Sequence, residues 1–176
     1  MKKILMTIAA AFVATAMSAQ VYVGGNVGFS TTSHDGESVS KFSIVPEVGY
    51  NLDENWAVGI ALGYSQSGKG DNKMKEFQIS PYARYTFAKF NKVNLFVDGG
   101  LGYVHEDFAG EKINTFRVGF KPGVAVNLTD QLSFVAHVGF FGYQNEKLDE
   151  KGAKATHTYT AAVDGNDLTF GLYFNF

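Results

Sequence analysis

Beyond about residue 20, bulky apolar residues alternate with small or polar ones along nearly the whole chain. Trp56, Val58, Ile60, Leu62 and Tyr64 interleave with Ala57, Gly59, Ala61, Gly63 and Ser65. Phe116, Val118, Phe120, Pro122, Val124, Val126 and Leu128 interleave with Arg117, Gly119, Lys121, Gly123, Ala125 and Asn127. The C-terminus closes in the same way, with Leu168, Phe170, Leu172, Phe174 and Phe176 set against Thr169, Gly171, Tyr173 and Asn175. A period of two sends successive side chains to opposite faces of a strand, so each segment predicts a strand with one greasy face.

A repeat lies beneath the alternation. Pro46, Pro81 and Pro122 are spaced 35 and 41 residues apart, each on the apolar phase and ahead of a short polar turn. Those turns are Leu52–Asn55, Ala88–Lys92 and Leu128–Gln131. Each is followed by an alternating strand that ends in Gly-Tyr, at Gly63-Tyr64, Gly102-Tyr103 and Gly142-Tyr143. Three hairpins plus a first strand near Gln20–Ser30 and a last near Asp167–Phe176 predict eight strands. Proline lacks a ladder donor, so three equivalent prolines predict a shared bulge or unpaired position. Phe140-Phe141 breaks the alternation and predicts a bulge there. The remaining connections, about Thr31–Ser40, Gln66–Lys75, His105–Asn114 and Asn145–Asn166, read as long polar loops. Short turns at one end and long loops at the other suit an outer-membrane barrel.

Volume decides which face points inward. The interior of an eight-stranded barrel is just wide enough for side chains to fill. The Phe-, Tyr-, Leu- and Ile-rich face is too bulky for it, whereas the Gly, Ala, Ser and Asn face fits. A soluble lipocalin-like barrel would need the reverse, and no Gly-x-Trp motif precedes Trp56. Aromatics also gather at both ends of the greasy face. Tyr50, Trp56, Tyr85, Phe87, Phe134, Phe174 and Phe176 mark the short-turn end; Phe29, Phe42, Tyr64, Phe77, Tyr103 and Phe116 mark the other. Two such belts match the two interfaces of a membrane.

The first residues are a different kind of signal. Lys2 and Lys3 precede an apolar run from Ile4 to about Met17, closed by Ser18 and Ala19. The run is shorter than the roughly 20 residues of a spanning helix, so residues 1–19 read as a secretory signal peptide cut between Ala19 and Gln20. The barrel domain is then 20–176. Charged residues are only 18% of the 176-residue chain and the net charge is −2, which excludes a polybasic nucleic-acid binder. There is no cysteine, so disulfides, thiolate metal sites, cysteine nucleophiles and lipid attachment through cysteine are excluded.

With these features the chain resembles the small eight-stranded outer-membrane barrels of the OmpA transmembrane-domain and OmpX type, porin-family-like proteins of Gram-negative bacteria. The resemblance runs from about Gln20 to Phe176. Its motifs are the turns Asn51-Leu52-Asp53 and Asn127-Leu128-Thr129-Asp130 and the C-terminal Gly171-Leu172-Tyr173-Phe174-Asn175-Phe176. That last segment, through Gly171, Phe174 and Phe176, looks like the family's insertion signal and implies recognition by the outer-membrane assembly machinery. The resemblance implies an all-β, eight-stranded antiparallel up-and-down transmembrane barrel in the bacterial outer membrane, in contact with lipid and lipopolysaccharide and monomeric. A chain ending at Phe176 has no peptidoglycan-binding domain, so cell-wall tethering does not carry over.

The inward phase carries Glu47, Arg84, Asp98, Arg117, Lys121 and His137. Buried charges need partners. The expectation is therefore a lumen ion-pair network joining Glu47 and Asp98 to Arg84, Arg117 and Lys121, completed by Tyr82 and Gln78. Such a network would act as a plug, with a narrow ion path as the alternative. Of the four histidines, His34, His105 and His157 fall in the expected loops and His137 in the lumen. His105, Glu106 and Asp107 match no zinc spacing, and no cofactor is expected. Some eight-stranded barrels modify lipid A, which needs a Ser-His-acid set facing lipid. No strand histidine sits on the greasy face, so catalysis is not expected. The expected role is envelope structure, with any surface ligand or host factor bound through the loops.

Overall fold

A computed structural model describes residues 20–34, 37–69, 72–108, 111–148, 155–162 and 169–176. The expected signal peptide lies outside them. Strands form along the alternating segments: β1 (Val21–His34), β2 (Glu37–Asn51), β3 (Trp56–Lys69), β4 (Asn72–Phe90), β5 (Val93–Phe108) and β6 (Glu111–Asn127). They continue as β7 (Leu132–His137), β8 (Phe140–Leu148), β9 (Thr156–Ala162) and β10 (Thr169–Asn175). Neighbours from β1 to β6 pair antiparallel in chain order. Both β7 and β8 pair with β6 and are the two halves of a seventh strand. On its far side β10 pairs with β7 and β9 with β8, giving an eighth. Pairing of β10 with β1, from Tyr22–Asn175 to Asn26–Gly171, closes the ring. The fold is the eight-stranded antiparallel barrel that the alternation predicts.

All but one of the irregularities fall where the sequence places them; the exception is a register shift against β5 between Thr86 and Ala88. Pairing between β2 and β3 lapses at Val45 and Pro46, and between β4 and β5 at Ser80 and Pro81, with no change of register. Across β6, Gly123 faces His137 while Phe120 faces Phe141, so Val138, Gly139 and Phe140 oppose only Lys121 and Pro122. Each proline thus interrupts the ladder toward the second strand of its own hairpin, where its missing N–H costs no bond. The extra residue beside Pro122 makes a bulge, and Gly139 takes φ 78° there, a conformation open to a residue without Cβ. The bulge restores the phase, since Tyr143 pairs with the outward Val118.

Two of the three short turns are built alike; the third, expected over Ala88–Lys92, is only Asn91-Lys92, with Asn91 at φ 48°. Leu52 N–H donates to the Trp56 carbonyl and Leu128 N–H to the Leu132 carbonyl, both at 2.8 Å. Inside the first, Asp53 Oδ1 accepts from the N–H groups of Asn55 (2.7 Å) and Trp56 (2.8 Å). Inside the second, Thr129 Oγ1 does the same for Gln131 (3.3 Å) and Leu132 (2.9 Å). A short acceptor side chain bonding the backbone two and three residues ahead is what tightens such turns.

At the other end the structure corrects the sequence reading. The first three expected loops are ladder: β1 and β2 are separated by two residues, as are β3 and β4, and β5 and β6. The polar connections are protruding hairpins. Their residues still alternate, but between polar types, so hydropathy hides the strand. His105, Glu106 and Asp107 lie in β5 opposite Phe77, Glu76 and Lys75, on alternating faces, and cannot converge on one ion.

Polarity is inverted relative to a soluble protein. Phe77 (51% exposed), Leu101 (49%), Phe120 (60%) and Leu172 (54%) point outward. On β4 the outward apolar band runs eleven residues, Phe77 to Phe87, and on β6 eleven, Phe116 to Val126. A tilted strand needs about 9–11 residues to cross a bilayer. The remainder of these strands, at the hairpin end, rises beyond the apolar band. Of the expected belts, Phe42, Tyr64, Phe77, Tyr103 and Phe116 are exposed at that end, and Tyr50, Trp56, Tyr85, Phe87, Phe134 and Phe176 at the short-turn end. The side chains of Phe29 and His34 lie outside the described residues.

Candidate functional site

The lumen is crossed by one cluster of charge and aromatic rings. Arg84 on β4 and Asp98 on β5 are register partners, which brings their side chains together on the inner face. Arg84 Nε donates to Asp98 Oδ1 at 2.7 Å and Nη2 to Oδ2 at 2.8 Å, the two-pronged geometry that suits guanidinium and carboxylate. His137, at the end of β7, donates from Nε2 to Asp98 Oδ2 at 2.8 Å. That bond fixes the proton on Nε2.

Four rings surround the guanidinium. Its carbon lies 4.0 Å from the Phe96 ring centre, 5.5 Å from those of Tyr82 and Tyr173, and 5.8 Å from that of Tyr22. Ring faces attract a cation, more strongly where water is excluded. Each ring has room because its ladder partner is glycine: Tyr22 faces Gly49, Tyr82 faces Gly59, Phe96 faces Gly123 and Tyr173 faces Gly24. A Cβ on Gly24 or Gly59 would stand 2.6 Å from its ring, and one on Gly49 or Gly123 closer still. Lumen residues read from sequence as merely small are thus seats for large ones.

Glu47 belongs to a second, neutral set. Its Oε1 accepts from Asn26 Nδ2 (3.1 Å) and its Oε2 from Tyr82 (3.0 Å), whose hydroxyl is 2.8 Å from that of Tyr22. Gln78 donates to Ser80 Oγ at 2.7 Å. Arg117 and Lys121 stand on β6 opposite Gly102 and Asp98. Of the residues grouped by sequence, the structure brings Arg84, Asp98 and His137 into one ion-paired cluster, sets Glu47 among neutral donors, and places Arg117 and Lys121 on an adjoining wall.

Two cavities flank the cluster. The one toward the protruding hairpins has a volume of about 560 Å³ and reaches Glu47, Tyr82, Asp98, Arg117 and His137. The one toward the short turns, about 250 Å³, reaches Tyr22, Arg84, Phe96 and Tyr173. No residue lines both.

Sequence reasoning missed Phe96, Tyr22 and Tyr173 as members of this site. The signal was present in parity: Phe96 lies two residues from Asp98 on the same strand, hence on the same face. Against the expectation that no strand histidine sits on the outer face, His105 on β5 and His157 on β9 do, and both have other partners. His105 Nδ1 lies 2.7 Å from Asn114 Oδ1, and His157 Nδ1 lies 2.5 Å from the Tyr143 hydroxyl and 3.0 Å from Asn145 Nδ2. Among the described residues no group of three or more His, Asp or Glu is placed to hold a metal.

A closed barrel with an apolar exterior and a polar, ring-packed lumen is an integral protein of the bacterial outer membrane. The chain belongs to the family of the outer membrane protein beta-barrel domain, which matches residues 4–176. Solved structures share the fold at low identity. Neisserial surface protein A is 18% identical, with 90% of this chain and 98% of that one covered and a TM-score of 0.53. The outer membrane protein OprG of Pseudomonas aeruginosa is 14% identical over 89% and 93%, TM-score 0.52. Outer Membrane Protein W of E. coli is 12% identical over 89% and 97%, TM-score 0.52. No curated protein matches.

Proposed function

We propose that this chain is a plugged, non-catalytic barrel that serves the outer membrane through its wall and its protruding hairpins. The observation that carries the reading is the Arg84–Asp98–His137 cluster with its four rings, standing between two cavities that share no lining residue. An ion entering that section would have to displace a buried, fully engaged ion pair. The outward histidines support the non-catalytic reading, because their bonds go to Asn114, Tyr143 and Asn145 rather than to a serine.

Planar-bilayer recording tests this. The folded protein should give no discrete steps, whereas the Arg84→Ser/Asp98→Ser double variant should conduct. Steps in the unaltered protein would overturn the plug and favour the second reading, a narrow channel. That reading is favoured by the alignment of two cavities end to end with only this cluster between them.

Residues 1–19 are a leader removed at Ala19–Gln20; Gln20 already belongs to the rim, its carbonyl accepting from Asn51 N–H at 2.7 Å. Gly171, Phe174 and Phe176 present the assembly signal, and the barrel works as a monomer in contact with lipopolysaccharide. Phe176→Ser should lower the amount of folded barrel in the outer membrane; unchanged amounts would sink the assignment of the signal.

A further inference from the structure

The cavity on the hairpin side has donors that the cluster beneath it does not use. Both carboxylates at its floor are engaged: Asp98 by Arg84 and His137, Glu47 by Asn26 and Tyr82. Arg117 projects from β6 into the same cavity, and its Nε is buried with no hydrogen-bond partner. An unpaired guanidinium N–H out of contact with water is costly, and proteins keep few of them. Around it the wall is permissive. Its ladder partner on β5 is Gly102, and Gln144, its partner on β8, supplies an amide. Ser80 adds a hydroxyl to the same wall, and so does Thr160, which accepts from Gln144 Nε2 at 3.5 Å. At about 560 Å³ the space lies within the range of small-molecule sites.

We propose that this chamber binds a small oxyanion, a carboxylate or a phosphate group, on the Nε edge of Arg117. Once Arg117 turns its Nε edge toward the chamber, an oxyanion there accepts from Nε and an adjacent Nη, the two-pronged contact that guanidinium makes best. The hydroxyls and the Gln144 amide complete its shell. The chamber is then a receptor closed from below, since the cluster forms its floor. The proposal rests on that plugged reading, and the two fail differently: a leaking plug shows as conductance, an absent anion site as silence in the titration below.

The chain has two arginines, Arg84 and Arg117, so their Nε–H groups give two signals in an arginine-labelled barrel folded in detergent. Titration with acetate and, separately, with inorganic phosphate should move the Arg117 signal to saturation, with half-effect at about 1 mM or below. Chloride at matched ionic strength should not reproduce the shift, and the Arg84 signal should stay in place. Saturation with acetate alone or phosphate alone supports the site and names its source. Arg117→Gln, checked for folding by heat-modifiable gel migration, should weaken binding measured by calorimetry at least about tenfold. No saturation with either anion, an equal response to chloride, an equal shift at Arg84 or unchanged affinity in Arg117→Gln would each overturn the proposal. The two-signal test needs no variant, so it decides the question even if Arg117→Gln fails to fold.

Discussion

The ring of Tyr22 lies over Gly49, its partner across the β1–β2 ladder, so closely that any side chain at position 49 would occupy the space of the ring. Three more rings of the lumen repeat the arrangement. The glycines of the inner face therefore do more than thin the wall: they let large rings lie flat and converge on Arg84.

Replacing Gly49 tests this directly. Gly49→Val must push Tyr22 away from the cluster and from Tyr82, and overpacking of this kind costs about 1–3 kcal/mol. Urea unfolding in lipid, followed by the fluorescence of the single tryptophan, Trp56, measures it. A change within about 0.5 kcal/mol, the scale of an uninvolved surface site, would show that the ring has free space elsewhere.

Asp98→Asn should be more severe. It leaves the Arg84 guanidinium buried without its counter-charge, and breaking one side of a buried pair costs about 3–5 kcal/mol. Arg84→Met together with Asp98→Asn should recover a good part of the loss. If the double variant is no more stable than Asp98→Asn alone, charge pairing is not what holds these residues.

Position 60 reports on membrane depth. Ile60 is central in the outward band of β3, between Trp56 and Tyr64. Ile60→Arg should cost about 2–4 kcal/mol if it sits at mid-bilayer, and Tyr64→Arg, nearer the interface, about 0–1. Equal losses in lipid unfolding measurements would place the band at the wrong height.

Asp53 gives one turn a pH dependence. The N–H groups of Asn55 and Trp56 bond its carboxylate and hold its pKa below the ordinary value. A depressed folded-state pKa contributes stability above the unfolded pKa, about 3.9, and that contribution fades as the pH falls through the lower folded value. The stability advantage of the unaltered protein over Asp53→Asn should therefore shrink below about pH 4. The corresponding turn uses the Thr129 hydroxyl, so Thr129→Ala should show a gap independent of acid. A constant gap for Asp53→Asn across the same range would deny the charged acceptor its role.

Most of the wall was legible in the sequence because a period of two is a direct record of facing. The strand count, the equivalent prolines and the bulge near Phe140 all follow from that record. The hairpin ends were not legible, since Lys75, Glu76 or Lys112 alternate in orientation without alternating in hydropathy. The cluster was half legible. Charges on the inner phase stand out one by one, but which of them meet depends on register, and register lies between strands rather than along them. Arg84 meets Asp98 because β4 and β5 align those positions. Nothing in either strand alone distinguishes that match from one with Arg117.

The cluster also bears on how the barrel comes together. Arg84, Tyr82, Phe96 and Asp98 belong to one hairpin, β4–β5, and can meet while the sheet is still open. Tyr22, His137 and Tyr173 come from β1, β7 and β10, around the seam where the ends of the sheet join. An unclosed sheet can keep the histidine, since β7 joins β5 through β6, but leaves the charged pair without two of its rings. Joining the first and last strands thus supplies the ladder bonds and the missing shell in one event. Closure therefore ties the two ends of the sheet through the lumen as well as through the ladder.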